Sequence, residues 1–306
     1  MANATLLLLT KPAKTAGKPS AHSAPGGGPG FVHVDAEQPQ VSVMDLGVTR
    51  GDGLFESISI MHGHPQALEP HLRRLAHSAS LLDLPEPDLD AWRAAVLAAI
   101  AAHEEASSTP TVELFAKLVM TRGIEGSDEP TGWVYVSGID DFSSARSEGI
   151  RVVTLDRGYR HDVAQTSPWL LQGAKTLSYA VNKAALREAA RRGADDVIFV
   201  SSDGFALEGP TANVIVRNGN LIRTPQTDQG ILAGTTQASV FDFFTDRGFE
   251  TSYEHIPASE LSAADALWLV SSVRQAAPVR SLDGAEFEVD RGLAADLNAY
   301  LLGRTE

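Results

Sequence analysis

Three short segments in the second half of this chain combine residue types that can do chemistry together. GAKTLSYAVNKAALREA places Lys175 just before a helical pattern. A lysine amine becomes a nucleophile or a base only after losing its proton, and partial burial or a neighbouring cation favours that neutral form. SDGFALEGPTANVIV places Glu208 at the end of a short strand, between Leu207 and a Gly-Pro-Thr-Ala turn. A carboxylate in such a setting needs a partner, because an unpaired buried charge is costly. TPQTDQGILAGTTQASV puts Gly234-Thr235-Thr236 at a helix start. Backbone N–H groups there form an anion site to which hydroxyls add donors, and a threonine also serves as an N-cap. In the first half, HLRRL (71–75) offers Arg73 and Arg74, and a guanidinium can engage a phosphate bidentately.

Other chemistries drop out. The 306 residues contain no cysteine, which excludes disulfides, thiolate catalysis and Cys-ligated zinc or iron–sulfur clusters. There is no P-loop, no GxSxG elbow and no HExxH. His62 and His64 flank Gly63 and read as a solvated hairpin rather than a metal site. Gly26 to Gly30 is Gly-rich, but its composition is that of a flexible linker. The net charge of −14 disfavours a broad nucleic-acid surface. No apolar run approaches the roughly 20 residues of a membrane span, and Leu6–Leu9 is too short for a signal segment. A soluble, cytoplasmic protein is expected.

The elements that must position these residues follow from periodicity. Strands are expected at 4–9, 31–34, 53–60, 112–121, 132–137 and 150–155. Leu68, Leu72, Leu75, Ala79 and Leu82 recur at helical steps, with Pro70 in the first turn, which predicts a helix over 68–82. A second helix, 89–105, should turn Trp92 and Val96 inward. The 11–30 stretch, rich in Pro, Gly, Ser and Ala, reads as a flexible insertion. Polar DFSSARSEG at 141–149 reads as a linker. A helix at 177–192 should end at Gly193. VIFVS, FALEG, ANVIVR and LIRTP, separated by Asp203-Gly204 and Asn218-Gly219, read as a β-meander. A helix at 236–247 and a buried strand at 265–273 follow. Strands and helices do not alternate regularly, so the fold class is α+β. Two domains are expected: a smaller one over 1–145 and a larger one over 146–306.

The order of these motifs, together with VTRGDGLFES (48–57) and HLRRL (71–75), resembles the fold-type IV pyridoxal-phosphate enzymes. These are the class IV aminotransferases, comprising branched-chain and D-amino-acid aminotransferases and aminodeoxychorismate lyase. The likeness runs from about Val41 to the C-terminus. It implies a two-domain fold with the active site between the domains, pyridoxal 5′-phosphate as cofactor and no metal. Lys175 then matches the Schiff-base lysine, which also acts as the base at the substrate α-carbon. Glu208 matches the acid paired with the pyridine nitrogen, whose protonation makes the ring an electron sink. Asn213 falls near the same site. Arg74, rather than Arg73, matches the phosphate arginine. Thr235 and Thr236 match the family's Gly-Ile-Thr segment, with Thr235 in place of the Ile and Gln237 in place of the usual arginine. Ser272 aligns with a threonine near the phosphate.

On the substrate side, Tyr179 lies four residues past Lys175. Branched-chain enzymes usually place a tyrosine five past, where this chain has Ala180. Arg50, Lys117, Arg122 and Arg160 are candidate carboxylate binders. The resemblance is closest to aminodeoxychorismate lyase, which releases 4-aminobenzoate and pyruvate. The alternative is a class IV aminotransferase for D- or branched-chain amino acids. Either acts on a small amino substrate, and by resemblance the chain forms a homodimer.

Overall fold

The computed structural model describes residues 4–14, 30–107 and 112–305. Residues 15–29 of the expected 11–30 insertion therefore lie outside the described residues. The chain packs as two units. The first holds the described residues through Ile139, with Ala174–Ser178 and Thr305. The second holds Asp140–Gly173 and Tyr179–Arg304.

In chain order the first unit contains β1 (Thr5–Leu9), β2 (Phe31–Val34), α1 (Leu46–Thr49), β3 (Gly53–Met61), β4 (His64–Pro65), α2 (Leu68–Leu81), α3 (Leu89–Ala106), β5 (Glu113–Thr121) and β6 (Thr131–Gly138). The strands form one antiparallel sheet in the order β2-β1-β6-β5-β3-β4. β3 alternates with the period of two that a pleated strand imposes. Leu54, Glu56, Ile58 and Ile60 share one face, and all four are fully buried. α2 packs on β3, and α3 packs on β1 and β6. The helical spacing read from the sequence puts Leu72, Leu75 and Ala79 in that core, and α3 adds Trp92 and Val96. His62 (φ 49°) and Gly63 (φ 77°) make the two-residue turn between β3 and β4, the positive-φ pair that fits a hairpin's twist.

The second unit contains α4 (Ser143–Ser147), β7 (Ile150–Asp156), α5 (Val163–Thr166), α6 (Ala180–Arg191), β8 (Asp196–Val200), β9 (Asn213–Asn218), β10 (Leu221–Pro225), α7 (Thr235–Thr245), β11 (Glu250–Glu254), β12 (Ala266–Ser271), β13 (Gln275–Leu282), β14 (Ala285–Glu286) and α8 (Arg291–Leu302). Its sheet runs β11-β10-β9-β12-β13-β7-β8, with β14 against β13. The pairs β10/β11, β13/β7 and β7/β8 are parallel and the rest antiparallel. Both faces of the central strands are covered. Val214 and Val216 of β9 and Leu267 and Leu269 of β12 enter one core. Ile215, Trp268 and Val270 enter another, built with Val240, Phe243 and Phe244 of α7 and Leu297 and Leu301 of α8. Two covered faces explain why NVIV and ALWLV read as unbroken apolar runs.

Both units bear out the α+β reading, but several elements differ from their expected form. The 141–149 segment is not a linker. Its centre is α4, packed on β13 and α8. The helix expected from residue 177 starts at Ala180, because Lys175 and Leu177 hydrogen-bond to β3 instead, with Thr176 bridging to Leu54. FALEG is not a ladder strand. It bonds to β8 through Leu207 N–H to Phe199 O and Phe199 N–H to Glu208 O, then Phe205 bridges to Pro257. The meander therefore shrinks to β9 and β10, since β8 lies at the opposite edge of the sheet from β11. β13 was not legible: its Pro278 and paired alanines carry neither strand composition nor alternation.

Candidate active site

The predicted residues fall into two groups, one in each unit. In the first, Ala174–Ser178 lies along the start of β3. Phe55 N–H donates to Lys175 O (3.0 Å) and Leu177 N–H to Gly53 O (2.8 Å). The approach is close. A Cβ on Gly53 would sit 2.6 Å from Met120 O and 2.8 Å from Leu177 Cδ1, so this position needs glycine. Lys175 N–H also donates to Ser78 Oγ of α2 (3.2 Å). Its side chain is half-buried, with Nζ 4.5 Å from the Phe55 ring centroid. Lys117 Nζ stands 5.3 Å from the same ring. The structure thus gathers two predicted lysines around one aromatic side chain.

Arg74 faces inward from α2 whereas Arg73 is exposed. Arg74 makes a bidentate pair with the fully buried Glu56, Nε to Oε1 and Nη2 to Oε2, both 2.7 Å. His71 Nδ1 is 2.7 Å from Glu56 Oε2. A carboxylate only accepts, so Nδ1 carries the proton. Burial by itself raises the Glu56 carboxyl, but the charge and hydrogen bonds of Arg74, with those of His71, overcome it and hold the group well below the usual carboxylate range. Burial pushes His71 down against the pull of Glu56, and the charges of Arg74 and Lys175 push it further.

The remaining cations of this unit are less suited to a substrate. Arg122 is committed to Asp52 (2.6 and 3.2 Å) and to the carbonyls of Leu82 and Asp83. Arg50 caps α1 at the surface, with Nη1 on Thr49 O.

In the second unit, Glu208 Oε2 accepts from Leu232 N–H (3.1 Å). Tyr179 donates its hydroxyl to Pro210 O (2.6 Å). Burial, reinforced by the Glu208 charge, pushes that phenol up to about 12. Tyr159, engaged with Arg157 and Gln172, is also raised by burial and by the Glu208 charge. Asn213 Nδ2 donates to Leu232 O (2.8 Å), and a Cβ on Gly234 would meet Asn213 Oδ1 at 1.9 Å. That glycine is the N-cap of α7. Just beyond it, the hydroxyls of Thr235 and Thr236 lie 3.3 and 3.4 Å from Ser272 Oγ. Three hydroxyls from two elements thus converge at a helix start, where N–H groups favour anions. Gln237 is buried, and its Oε1 accepts from Tyr253. Arg160 is exposed and pairs with Asp162 and Asp203.

The family profile of the class IV amino-transferases matches residues 53–282. The chain belongs to that family. Among relatives of this class IV enzyme is the bifunctional aminodeoxychorismate lyase / D-amino acid transaminase of Mycobacterium tuberculosis. It is 43% identical over 254 residues, 80% of this chain and 87% of that one. A fold IV-transaminase from Curtobacterium pusillum superimposes with a TM-score of 0.93 at 65% identity, covering 99% of this chain and 100% of that one. A hypothetical aminotransferase from M. tuberculosis, in its PLP-bound form, superimposes with a TM-score of 0.86 at 37% identity, covering 98% and 99%. These neighbours agree with the fold-type IV architecture expected from the motif order.

Glu56 and His71 lie within VTRGDGLFES and HLRRL but were not among the expected site residues. A usable signal was present. Glu56 is the one charge on the otherwise apolar 54–56–58–60 face of β3, and a charge on a core-facing register demands a partner.

Proposed function

We propose that this class IV enzyme binds pyridoxal 5′-phosphate and acts as a 4-amino-4-deoxychorismate lyase, releasing 4-aminobenzoate and pyruvate. The observation that carries the reading is the 43% identity to a relative with that named activity over most of both chains. The donors fit the cofactor. Thr235, Thr236 and Ser272 at the start of α7 suit a phosphate dianion, and Arg74 is the phosphate arginine that the family resemblance implies. Glu208 suits a protonated ring nitrogen, and Asn213 shapes the same loop by filling the space beside Gly234.

When bound, the cofactor supplies an aldehyde for the amino group and a ring that takes up the electron pair released at the neighbouring carbon. Glu208 would hold the proton on the ring nitrogen. Lys175 Nζ would hold the cofactor and would serve as the base for the proton on the amine-bearing carbon. Phe55 packs beside that amine, with its ring centroid 4.5 Å from Nζ. Tyr179, held protonated by burial, remains a hydrogen-bond donor over the working pH range. In a lyase reaction the electron pair left by that proton would form the last double bond of the substrate ring, the C–O bond to the side chain would break, and the expelled enolpyruvate would take up a proton to become pyruvate. Lys117 supplies positive charge for a substrate carboxylate. Arg50 is a weaker choice because of its exposed position.

A second reading, amino transfer, is favoured by the 65% identity to a fold IV-transaminase, and a D-amino acid donor by the second activity in the name of the 43% identical relative. It shares every role given to Lys175 and Glu208. A branched-chain donor is disfavoured by Ala180. A homodimer is supported by the exposed apolar side chains Val43, Met44, Val48 and Ile124 in the first unit, and light scattering on the purified chain tests it. The deciding experiment is a paired assay with aminodeoxychorismate and a panel of D- and L-amino acids with 2-oxo acids. Release of 4-aminobenzoate with the higher kcat/KM supports the lyase. Brisk transfer from D-alanine with no 4-aminobenzoate would transfer the assignment to the second reading. Borohydride reduction should fix the cofactor on Lys175; an adduct on Lys117 or Lys183 would overturn the site.

A further inference from the structure

The family match stops at Leu282, but the chain continues through α8 to Arg304. The Arg304 side chain is half-buried and its guanidinium reaches three elements. Nε donates to Leu301 O (2.8 Å), Nη1 to Ser239 Oγ (2.7 Å) and Nη2 to Gln275 Oε1 (3.2 Å). The last two contacts both lead to the hydroxyl cluster at the start of α7. Ser239 Oγ donates to the carbonyl of Thr235 (3.3 Å). Gln275 Nε2 donates to the carbonyl of Ser272 (2.5 Å). Thr235 Oγ1 and Ser272 Oγ, 3.3 Å apart, close the ring.

The turn carrying Ser272 is not a relaxed one. Gln275 is fully buried with φ +64°, the left-handed region that a residue with a side chain rarely adopts. Such a conformation persists only where its surroundings over-determine it. Arg146 of α4 also holds this turn, Nε to Arg274 O (3.0 Å) and Nη2 to Val273 O (3.2 Å). Two arginines from opposite ends of the second unit therefore fix the backbone that aims Ser272 at α7.

We propose that Arg304 is a positioning residue for the anion cradle, setting through Ser239 and Gln275 the spacing between Thr235 and Ser272. The inference rests on the reading that this cradle takes the cofactor phosphate. Arg304 acts through these intermediaries, so its loss should weaken recognition of the phosphate and not of the pyridine ring.

The test uses the full-length chain and three variants, Arg304→Gln, Arg304→Lys and Ser272→Ala. Equilibrium binding of pyridoxal phosphate, pyridoxal and inorganic phosphate is measured for each. Arg304→Gln should weaken pyridoxal phosphate and inorganic phosphate roughly tenfold, the usual size when a group behind the ligand contacts is removed. Pyridoxal affinity should stay unchanged, and Arg304→Lys should recover part of the loss. Weakening by Ser272→Ala with no effect of Arg304→Gln overturns the positioning role alone. Equal weakening of pyridoxal and its phosphate by Arg304→Gln overturns it too, since that is general damage. No effect of Ser272→Ala on either phosphate ligand overturns the cradle reading itself. If Arg304→Gln does not fold, Ser239→Ala breaks the same ring at a smaller link. It must then weaken pyridoxal phosphate several-fold relative to pyridoxal, and unchanged affinities would refute the proposal.

Discussion

Replacing Glu56 by Gln should be among the most damaging isosteric changes in the first unit. The carboxylate is fully buried and makes three contacts of 2.7 Å, two to Arg74 and one to His71. An amide keeps one carbonyl oxygen, which at the Oε2 position can accept from Arg74 Nη2 and His71 Nδ1. Its NH2 group then faces Arg74 Nε, donor against donor. One charge-assisted bond, worth about 1.5–3 kcal/mol, is lost, and the two kept bonds fall to the about 0.5–1.5 kcal/mol of a neutral acceptor. Arg74, only 10% exposed, is left in the core without that counter-charge. Removing one side of a buried pair costs about 3–5 kcal/mol, and the bond-by-bond figure overlaps it. Urea unfolding near neutral pH, followed by circular dichroism, reads the loss directly. A cycle with Arg74→Met separates the pair from its surroundings. Each single change should be severe, and the double change should be no worse than either, because it removes both charges together. A cost for Glu56→Gln below about 1 kcal/mol, or strict additivity in the cycle, would refute the reasoning.

Arg74→Ala should weaken pyridoxal phosphate binding roughly ten- to a hundredfold, whereas Arg73→Ala, on the exposed side of α2, should leave it within a factor of about two; titration of the cofactor into each variant checks the pair. Glu208→Gln should still bind the cofactor while turnover falls at least about a hundredfold, roughly 2.7 kcal/mol of barrier, as steady-state assays would show, and near-normal turnover would remove Glu208 from the ring nitrogen. Acidification should destabilise the protein in two stages. His71 and Glu56 both have folded-state values below their ordinary 6.5 and 4.5, so the unfolded chain binds protons first and stability falls as pH drops below each. Thermal melts from about pH 8 down to 4 should show this, and His71→Gln should flatten the first stage; a melting temperature that rises on acidification contradicts the assignment.

The sequence by itself determined the elements whose signals are local. Helical spacing from Leu68 to Leu82 marked the apolar side chains of α2 that enter the core, while the choice of Arg74 over Arg73 came from the family resemblance. Unbroken apolar runs in NVIV and ALWLV marked strands buried on both faces, and the positive-φ turn at His62-Gly63 was written in its residues. The order of the motifs around Lys175, Glu208 and Thr235-Thr236 was enough to point to the family. What only the tertiary structure decided depends on partners far away in the chain. Leu177 and Ser178 were read as the start of a helix, yet Leu177 bonds to β3 instead, because the open edge of β3 offers Gly53 O and Phe55 N–H as partners and Gly53 allows the approach. Glu56 meets Arg74 across 18 residues, and a carboxylate's partner is set by packing, not by spacing along the chain. The polar 141–149 stretch reads as a linker until the carbonyls of Val273 and Arg274 appear beside Arg146. Arg304 carries no local signal at all. Its place behind the Thr235–Ser272 cluster exists only because α8 returns to cover β13, bringing a residue near the chain's end against a turn some thirty positions earlier.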